Sequence, residues 1–289
     1  MVSNDRSFYK DGGDKVKVEL GAVQETLVLP LWARARELDE RRPILRDEVA
    51  KGVLERMDYD FSKLDGSKYY QVVMAARHHA FDQYVKKFLK RFPEGTVVEI
   101  GCGLSTRYER LDNGKVKWFD IDLEDTIAVR RRFFEDGERH WTLVGSIAER
   151  DWIDEVKRKG DGPFMLVSEA VLMYFEVEEV KKILSRFADE FDGGWLAFDS
   201  LSPWIHQLQQ DEKFKFMEDM AAKFKWSCKD MRVVEGWDNR LHLVEKRYIP
   251  EVGSLAFKRL PMKAKFLERY VIPKYGHSQV SRFRIERSV

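Results

Sequence analysis

Residues 97–106 read Val97-Val98-Glu99-Ile100-Gly101-Cys102-Gly103-Leu104-Ser105-Thr106. Val97, Val98 and Ile100 are β-branched, as suits a central parallel strand covered on both faces. Gly101 and Gly103 allow the backbone to turn sharply and to approach a ligand closely. Ser105 or Thr106 can cap the helix that follows. Strand, glycine turn and helix in that order build the nucleotide site of a doubly wound α/β sheet, at the carboxyl end of its first strand.

The turn restricts the ligand. A dinucleotide fingerprint needs a third glycine at the sixth position, and Thr106 stands there. A P-loop needs G-x-x-x-x-G-K-[ST], which is absent. Glu99 directly before the E-I-G-C-G turn is instead similar to motif I of class I S-adenosylmethionine-dependent methyltransferases, whose ligand has no phosphate. The plain alternative is an ordinary tight turn after a strand. About twenty residues on, where this logic asks for an acid, Val116-Lys117-Trp118-Phe119-Asp120-Ile121-Asp122 reads as the second strand. A carboxylate at its end can accept both ribose hydroxyls of a cofactor. Asp122 is the first choice for that role and Asp120 the alternative; a strand-end acid that simply faces water is the bland reading of either.

Composition narrows the class. A chain of 289 residues can bury a full core as one large domain. Its 51 Lys+Arg against 50 Asp+Glu leave no global basic field for nucleic acid. Arg130-Arg131-Arg132 and Lys157-Arg158-Lys159 are short enough to be solvated helix faces. No apolar run is long enough to span a bilayer, and Met1-Val2-Ser3-Asn4-Asp5-Arg6 lacks the apolar core of a signal peptide, so a cytoplasmic protein without a membrane partner is expected. Cys102 and Cys228 offer neither metal spacing nor a disulfide framework, and no metal is expected. Cys102 reads as a small packing residue of the turn.

Residues 20–58 look helical, with Leu27, Leu31, Ala35 and Leu38 near helical spacing, and Pro30 and Pro43 are expected to cut the stretch into pieces. A helix over 68–92 ends at Pro93-Glu94-Gly95. Strands at 96–100, 116–122, 141–144, 164–168 and 195–199 alternate with helices after 105 and at 123–135, 151–159 and 177–191, which predicts a parallel sheet. Arg232–Val234, Leu241–Tyr248 and Arg282–Arg287 alternate like half-exposed strands of an antiparallel edge. The expectation is one domain over 1–289: a helical cap to about 75, a cofactor-binding core over 76–200, and lid helices with edge strands beyond 201.

Several strings together resemble the leucine carboxyl methyltransferase and polyketide-type (tetracenomycin-like) O-methyltransferase family. They are Val23–Leu31 with Arg34-Ala35, Pro43–Ala50, Ala75–Asp82, Glu99–Arg107, Phe119–Leu123 and Ser168–Phe175, in that order over roughly residues 20 to 200. The resemblance implies a Rossmann-like class I methyltransferase sheet, mostly parallel with an antiparallel C-terminal edge, plus an N-terminal helical lid. It implies S-adenosyl-L-methionine as cofactor. By it Arg77 would clamp the methionine carboxylate, as a guanidinium fork can. Glu99, Gly101 and Gly103 would shape the loop under the cofactor, Asp122 would hold the ribose, Ser146 and Ile147 would flank the adenine, and Glu169 would face the ammonium. A surface helix arginine and a solvent-exposed strand-end acid are the bland readings of Arg77 and Glu169. The family often has aspartate where Ser105 stands, which removes a charge beside Arg107.

The implied chemistry is an in-line displacement at a sulfonium methyl by a substrate oxygen, where the protein mainly positions and desolvates. A carboxylate acceptor needs no general base. A phenol or enol profits from one, and His78, His79 and His206 are candidates by position alone; no catalytic residue is assigned. Tyr174, Trp204 and His206 are expected near the acceptor pocket, under a lid formed by the N-terminal helices and by 200–230 with Phe214, Phe216, Met217 and Met220. A buried helical stripe explains those last residues equally well. The expected activity is O-methylation of a hydroxyl or carboxylate on a small aromatic or polyketide-like molecule. The alternatives are a carboxyl methyltransferase acting on a peptide or protein C-terminus, a nicotinamide-dependent (NAD) oxidoreductase, or an inactive cofactor-binding module.

Overall fold

The computed structural model describes residues 15–17, 22–61, 68–211 and 223–287. Seven strands form one sheet: β1 (Thr96–Ile100), β2 (Lys117–Asp122), β3 (His140–Val144), β4 (Phe164–Ser168), β5 (Trp195–Ser200), β6 (Leu241–Tyr248) and β7 (Gln279–Ile285). Their order is β3-β2-β1-β4-β5-β7-β6. Every pairing is parallel except those of β7, which runs against both β5 and β6. The order reverses between β1 and β4, and that switch point is where a doubly wound sheet opens a crevice for a ligand.

Strand parity sorts the core into two layers. Val98, Ile100, Phe119, Ile121, Leu166, Leu196 and Phe198 pack on one face with α6 (Asp151–Lys159) and α7 (Val177–Glu190). Val97, Trp118, Met165, Val167, Trp195 and Ala197 pack on the other with α3 (Lys68–Arg91). Phe81, Tyr84 and Val85 of α3 are fully buried there, and each such side chain contributes about 1.5–3 kcal/mol. The remaining helices of the parallel half are α4 (Arg107–Leu111) and α5 (Glu124–Arg130).

Three expectations are corrected. Pro30 does not cut the N-terminal helix: α1 (Ala22–Arg36) runs through it. Burial of Val28, Leu31, Trp32 and Ala33 on both sides of the proline outweighs the one hydrogen bond lost. Pro43 does mark a break, before α2 (Glu48–Arg56). Arg232–Val234 is no strand but part of a 3-10 helix, Met231–Gly236, whose start is held by the Asp230 carboxylate accepting from the Arg232 N–H at 3.1 Å. An apolar–polar alternation over three residues is too short to fix a period of two. The C-terminal strand expected at 282–287 is β7 at Gln279–Ile285; it lies between β5 and β6 and is mostly buried, so of the two antiparallel strands only β6 is an edge. Phe214, Phe216, Met217 and Met220 lie outside the described residues.

Candidate active site

The same parity that sorts the core gathers acids at one end of the sheet. Glu99 continues the row of Val97, Asp120 and Asp122 that of Trp118, and Asp199 that of Ala197. Glu169 follows β4 by one residue in register with Val167. All five therefore project to the α3 side at the carboxyl ends of the strands. Facing them from α3 are Arg77, His78 and Asp82.

Arg107, fully buried at the start of α4, is the hub. Its Nε donates to Asp82 Oδ1 at 2.9 Å, Nη2 to Glu169 Oε2 at 2.6 Å, and Nη1 to Glu99. Three carboxylates around one guanidinium replace the neighbour lost with serine at 105. The Ser105 hydroxyl accepts from the Arg107 N–H at 3.3 Å, while Thr106 turns its hydroxyl to Asp47. Glu169 also accepts from Arg77 Nε at 2.8 Å, and Arg77 Nη1 lies 3.8 Å from Asp199 Oδ2. Burial would raise the Glu169 carboxyl, yet His78, Arg77 and Arg107 together hold it well below the usual carboxylate range.

The N-terminal helices are wired into this cluster. Buried Arg34 of α1 donates to Asp47 at 2.8 Å, to His78 Nε2 at 2.6 Å and to the carbonyl of Leu104 at 2.7 Å. Asp47 also accepts from Arg110 Nη1 at 2.7 Å. Because Nε2 of His78 accepts from Arg34, Nδ1 carries the proton and points it at Glu169 Oε1, 2.7 Å away. Burial pushes the His78 pKa down to about 4, so the ring is neutral.

Asp120 and Asp122 separate cleanly. Asp120 is buried, ion-paired with Arg130, 2.7 Å from His140 Nε2 and bonded by Trp118 Nε1 at 3.0 Å. Asp122 accepts only backbone N–H groups, from Gly103 at 2.7 Å and Leu123 at 2.8 Å. Burial outweighs those two donors and raises its pKa. Gly101 has φ +72°, and a Cβ there would stand 2.2 Å from Val171 Cγ2. No side chain fits beside Val171, so the turn keeps bare backbone at this position. Past β3, Ser146 is half-buried; its hydroxyl accepts from the Ala148 N–H at 3.2 Å, and its carbonyl accepts from Trp152 Nε1 at 2.9 Å. Ile147 turns its side chain into the core layer with Ile121 and Trp152.

Beyond β4 and β5 an aromatic wall forms. The carbonyl of Met173 accepts the Lys225 N–H at 2.8 Å, which brings the Tyr174 ring 5.6 Å from that of Phe224. His206, on α8 (Pro203–Gln210), donates from Nε2 to the Phe224 carbonyl at 3.0 Å and accepts from the Ser227 hydroxyl at Nδ1, also 3.0 Å. Trp204 is half-buried on the same helix. Tyr174 and His206 thus meet through Phe224, and both nitrogens of His206 are engaged.

Comparison with known proteins adds the family. A family model described as leucine carboxyl methyltransferase matches residues 28–188. The chain belongs to that family. It is 29% identical over 219 residues to a tetracenomycin polyketide synthesis O-methyltransferase of Streptomyces glaucescens, covering 75% of this chain and 80% of the relative. It is 28% identical over 242 residues to an S-adenosyl-L-methionine-dependent methyltransferase of Gibberella zeae, covering 77% and 80%. The solved structure of a DUF574 family protein from Streptomyces avermitilis superposes with a TM-score of 0.52 at 14% identity, over 88% of this chain and 97% of that one, a likeness of fold.

This leucine carboxyl methyltransferase family member is a methyltransferase that uses S-adenosylmethionine, which removes the nicotinamide alternative. The site fits that cofactor on its own terms. Four guanidiniums (Arg34, Arg77, Arg107, Arg110) face five carboxylates (Asp47, Asp82, Glu99, Glu169, Asp199) in one buried network. The surplus is one negative charge. It shows in Glu99, pushed up to about 7 by burial against the pull of Arg107, and in Asp199, pushed up to about 6 by burial against Arg77. Glu99 Oε2 is buried with no hydrogen-bond partner. A ligand carrying a sulfonium, an ammonium and one carboxylate supplies the missing positive charge.

Sequence reasoning missed six residues of this network: Arg34, Asp47, Asp82, Arg107, Arg110 and Asp199. Arg34 and Asp47 lay inside family-like blocks but were given no role. Asp199 ended a predicted strand as Asp122 did, and that shared position was the available signal. Its Oδ1 accepts the Ala170 N–H at 2.8 Å, with Ala170 held at φ 59°.

Proposed function

We propose that this methyltransferase transfers the methyl group to a hydroxyl or carboxylate oxygen of a small aromatic or polyketide-like molecule. The observation that carries the reading is the likeness over most of both chains to a polyketide O-methyltransferase; the paired rings of Tyr174 and Phe224 beside the strand ends support it. The cofactor supplies a methyl group activated by its positive sulfur.

The chain's own residues would then bind and orient. Arg77, its side chain 12% exposed, would take the methionine carboxylate. Glu99 and Glu169 supply negative charge for the ammonium, and Gly101 and Gly103 give close backbone approach. Asp122 holds the ribose hydroxyls with the lone pairs its backbone partners leave over. Ser146 and the backbone of Ile147 border the adenine. Tyr174, Trp204 and His206 line the acceptor side, with His206 fixing the wall. Neither His78 nor His206 serves as a general base, since the hydrogen bonds of each occupy both ring nitrogens. Asp199, pushed up to about 6, is the group placed to take a proton from a phenol or enol; a carboxylate acceptor needs none.

The test is transfer of labelled methyl from S-adenosylmethionine to a panel of phenols, enols, small carboxylic acids and peptides with free C-termini. Mild alkali then separates the products, because methyl esters hydrolyse and methyl ethers do not. Label on a small oxygen acceptor supports the reading. Label found only on peptide C-termini, or on nitrogen, overturns it.

A further inference from the structure

The excursion between β6 and β7 carries a surface that the methyl-transfer site does not use. After α9 (Leu255–Arg259), Pro261 caps α10, a helical run over residues 262–275 made of Met262–Phe266, the π-helical Leu267–Val271 and Ile272–Tyr275. One side of α10 is anchored. Glu268 and Ile272 are each 2% exposed, and Glu268 Oε1 accepts the Tyr69 hydroxyl at 3.2 Å. The other side inverts the usual polarity of a surface helix. Met262, Phe266 and Tyr270 repeat every fourth residue and are 79%, 60% and 55% exposed, followed by Tyr275 at 46%. Lys258, Lys263, Arg269 and Lys274 stand exposed among them. The one acid between residues 254 and 278 is Glu268, on the buried side.

We propose that this face docks on an anionic lipid surface. Its chemistry selects that occupant. Met, Phe and Tyr side chains on a ridge can enter the headgroup boundary, and flanking Lys and Arg reach lipid phosphates and carboxylates. A second copy of the chain is disfavoured, because a two-fold contact through this face lays four cations on four. The exposed apolar side chains stand out on a helical ridge. The sequence reading expected no membrane partner because it sought a spanning run, and no helix among the described residues is long and apolar enough to cross a bilayer. Docking on a surface requires no such run.

Sedimentation of the full chain with lipid vesicles tests the proposal. The vesicles are phosphatidylcholine alone or phosphatidylcholine with phosphatidylserine, each at low and high salt. Two double variants, K263E/R269E and F266S/Y270S, change only exposed side chains, and unchanged S-adenosylmethionine binding reports that they fold. The wild type is expected to sediment with the phosphatidylserine vesicles at low salt and to be released by high salt. Each variant should lower partitioning by about tenfold or more. No binding to anionic vesicles, or binding that both variants retain, overturns the proposal. So does binding to soluble polyglutamate without vesicle binding, which would assign the face to an acidic protein. Self-association abolished by F266S/Y270S would overturn it in favour of a second copy.

Discussion

The middle of β2 and its end carry the same side chain to opposite fates. Asp120 and Asp122 sit two residues apart on one face of one strand. Asp120 is enclosed by Arg130, His140 and Trp118, and those partners overcome burial to hold its carboxyl below the ordinary value. Asp122 has only the N–H groups of Gly103 and Leu123, and burial raises it. Asp120, matched by buried cations, belongs to the scaffold. Asp122, bonded directly only by neutral N–H groups, is in want of a ligand. A milder contrast separates Asp82, bonded by Arg107 and Arg110, from Asp199, whose guanidinium partner Arg77 stands off at 3.8 Å.

Substitution should pull the two classes apart. Asp120→Ala leaves Arg130 and His140 buried without their anion and should lower stability by about 3–5 kcal/mol in urea unfolding. If it instead weakened cofactor binding at nearly full stability, the two aspartates would have to exchange roles. Asp122→Ala should leave stability within about 1 kcal/mol. In calorimetric titration it should weaken S-adenosylmethionine by about 2–3 kcal/mol, the worth of hydrogen bonds to a charged acceptor. Unchanged affinity would remove Asp122 from the site.

Asp199 gives the smallest and most diagnostic effect. Its folded pKa, about 6, lies above the ordinary value of 3.8. The folded chain therefore holds this proton where the unfolded chain has lost it. Stability from this group is complete below pH ~4 and is lost as pH rises through about 6. Relative to Asp199→Asn, the ligand-free wild type should lose about 2 kcal/mol between pH ~4 and pH ~7. Parallel pH curves for the two proteins would show that Asp199 titrates normally.

Much of this was legible in the chain. The strand at 96–100, the acid-ended strand at 117–122 and the helix at 151–159 follow from β-branched runs, glycine turns and an amphipathic period, all local signals. The balance of charge at the site was not local. Arg107 answers to Asp82, Glu99 and Glu169, residues from three different elements, and no spacing rule links them. His78 is one of three candidate bases by position alone, and only its partners show that both ring nitrogens are engaged. Nor can sequence show that Arg34 and Asp47 tie the N-terminal helices to the motif I loop and α4. Arg232–Val234 was misread because three residues carry too little periodicity to separate a strand from a 3-10 turn.

That wiring also sets an order of events during synthesis. Arg34 leaves the ribosome 70 residues ahead of the Leu104 carbonyl it binds, and Asp47 leaves 63 ahead of Arg110. At ordinary elongation rates of about 5–20 residues per second that is roughly 3–14 s. For that interval Arg34 and Asp47 have each other, but their partners in the glycine loop and α4 do not yet exist. The glycine loop thus closes the N-terminal helices onto the sheet as it forms, and the nascent chain becomes able to hold its cofactor late.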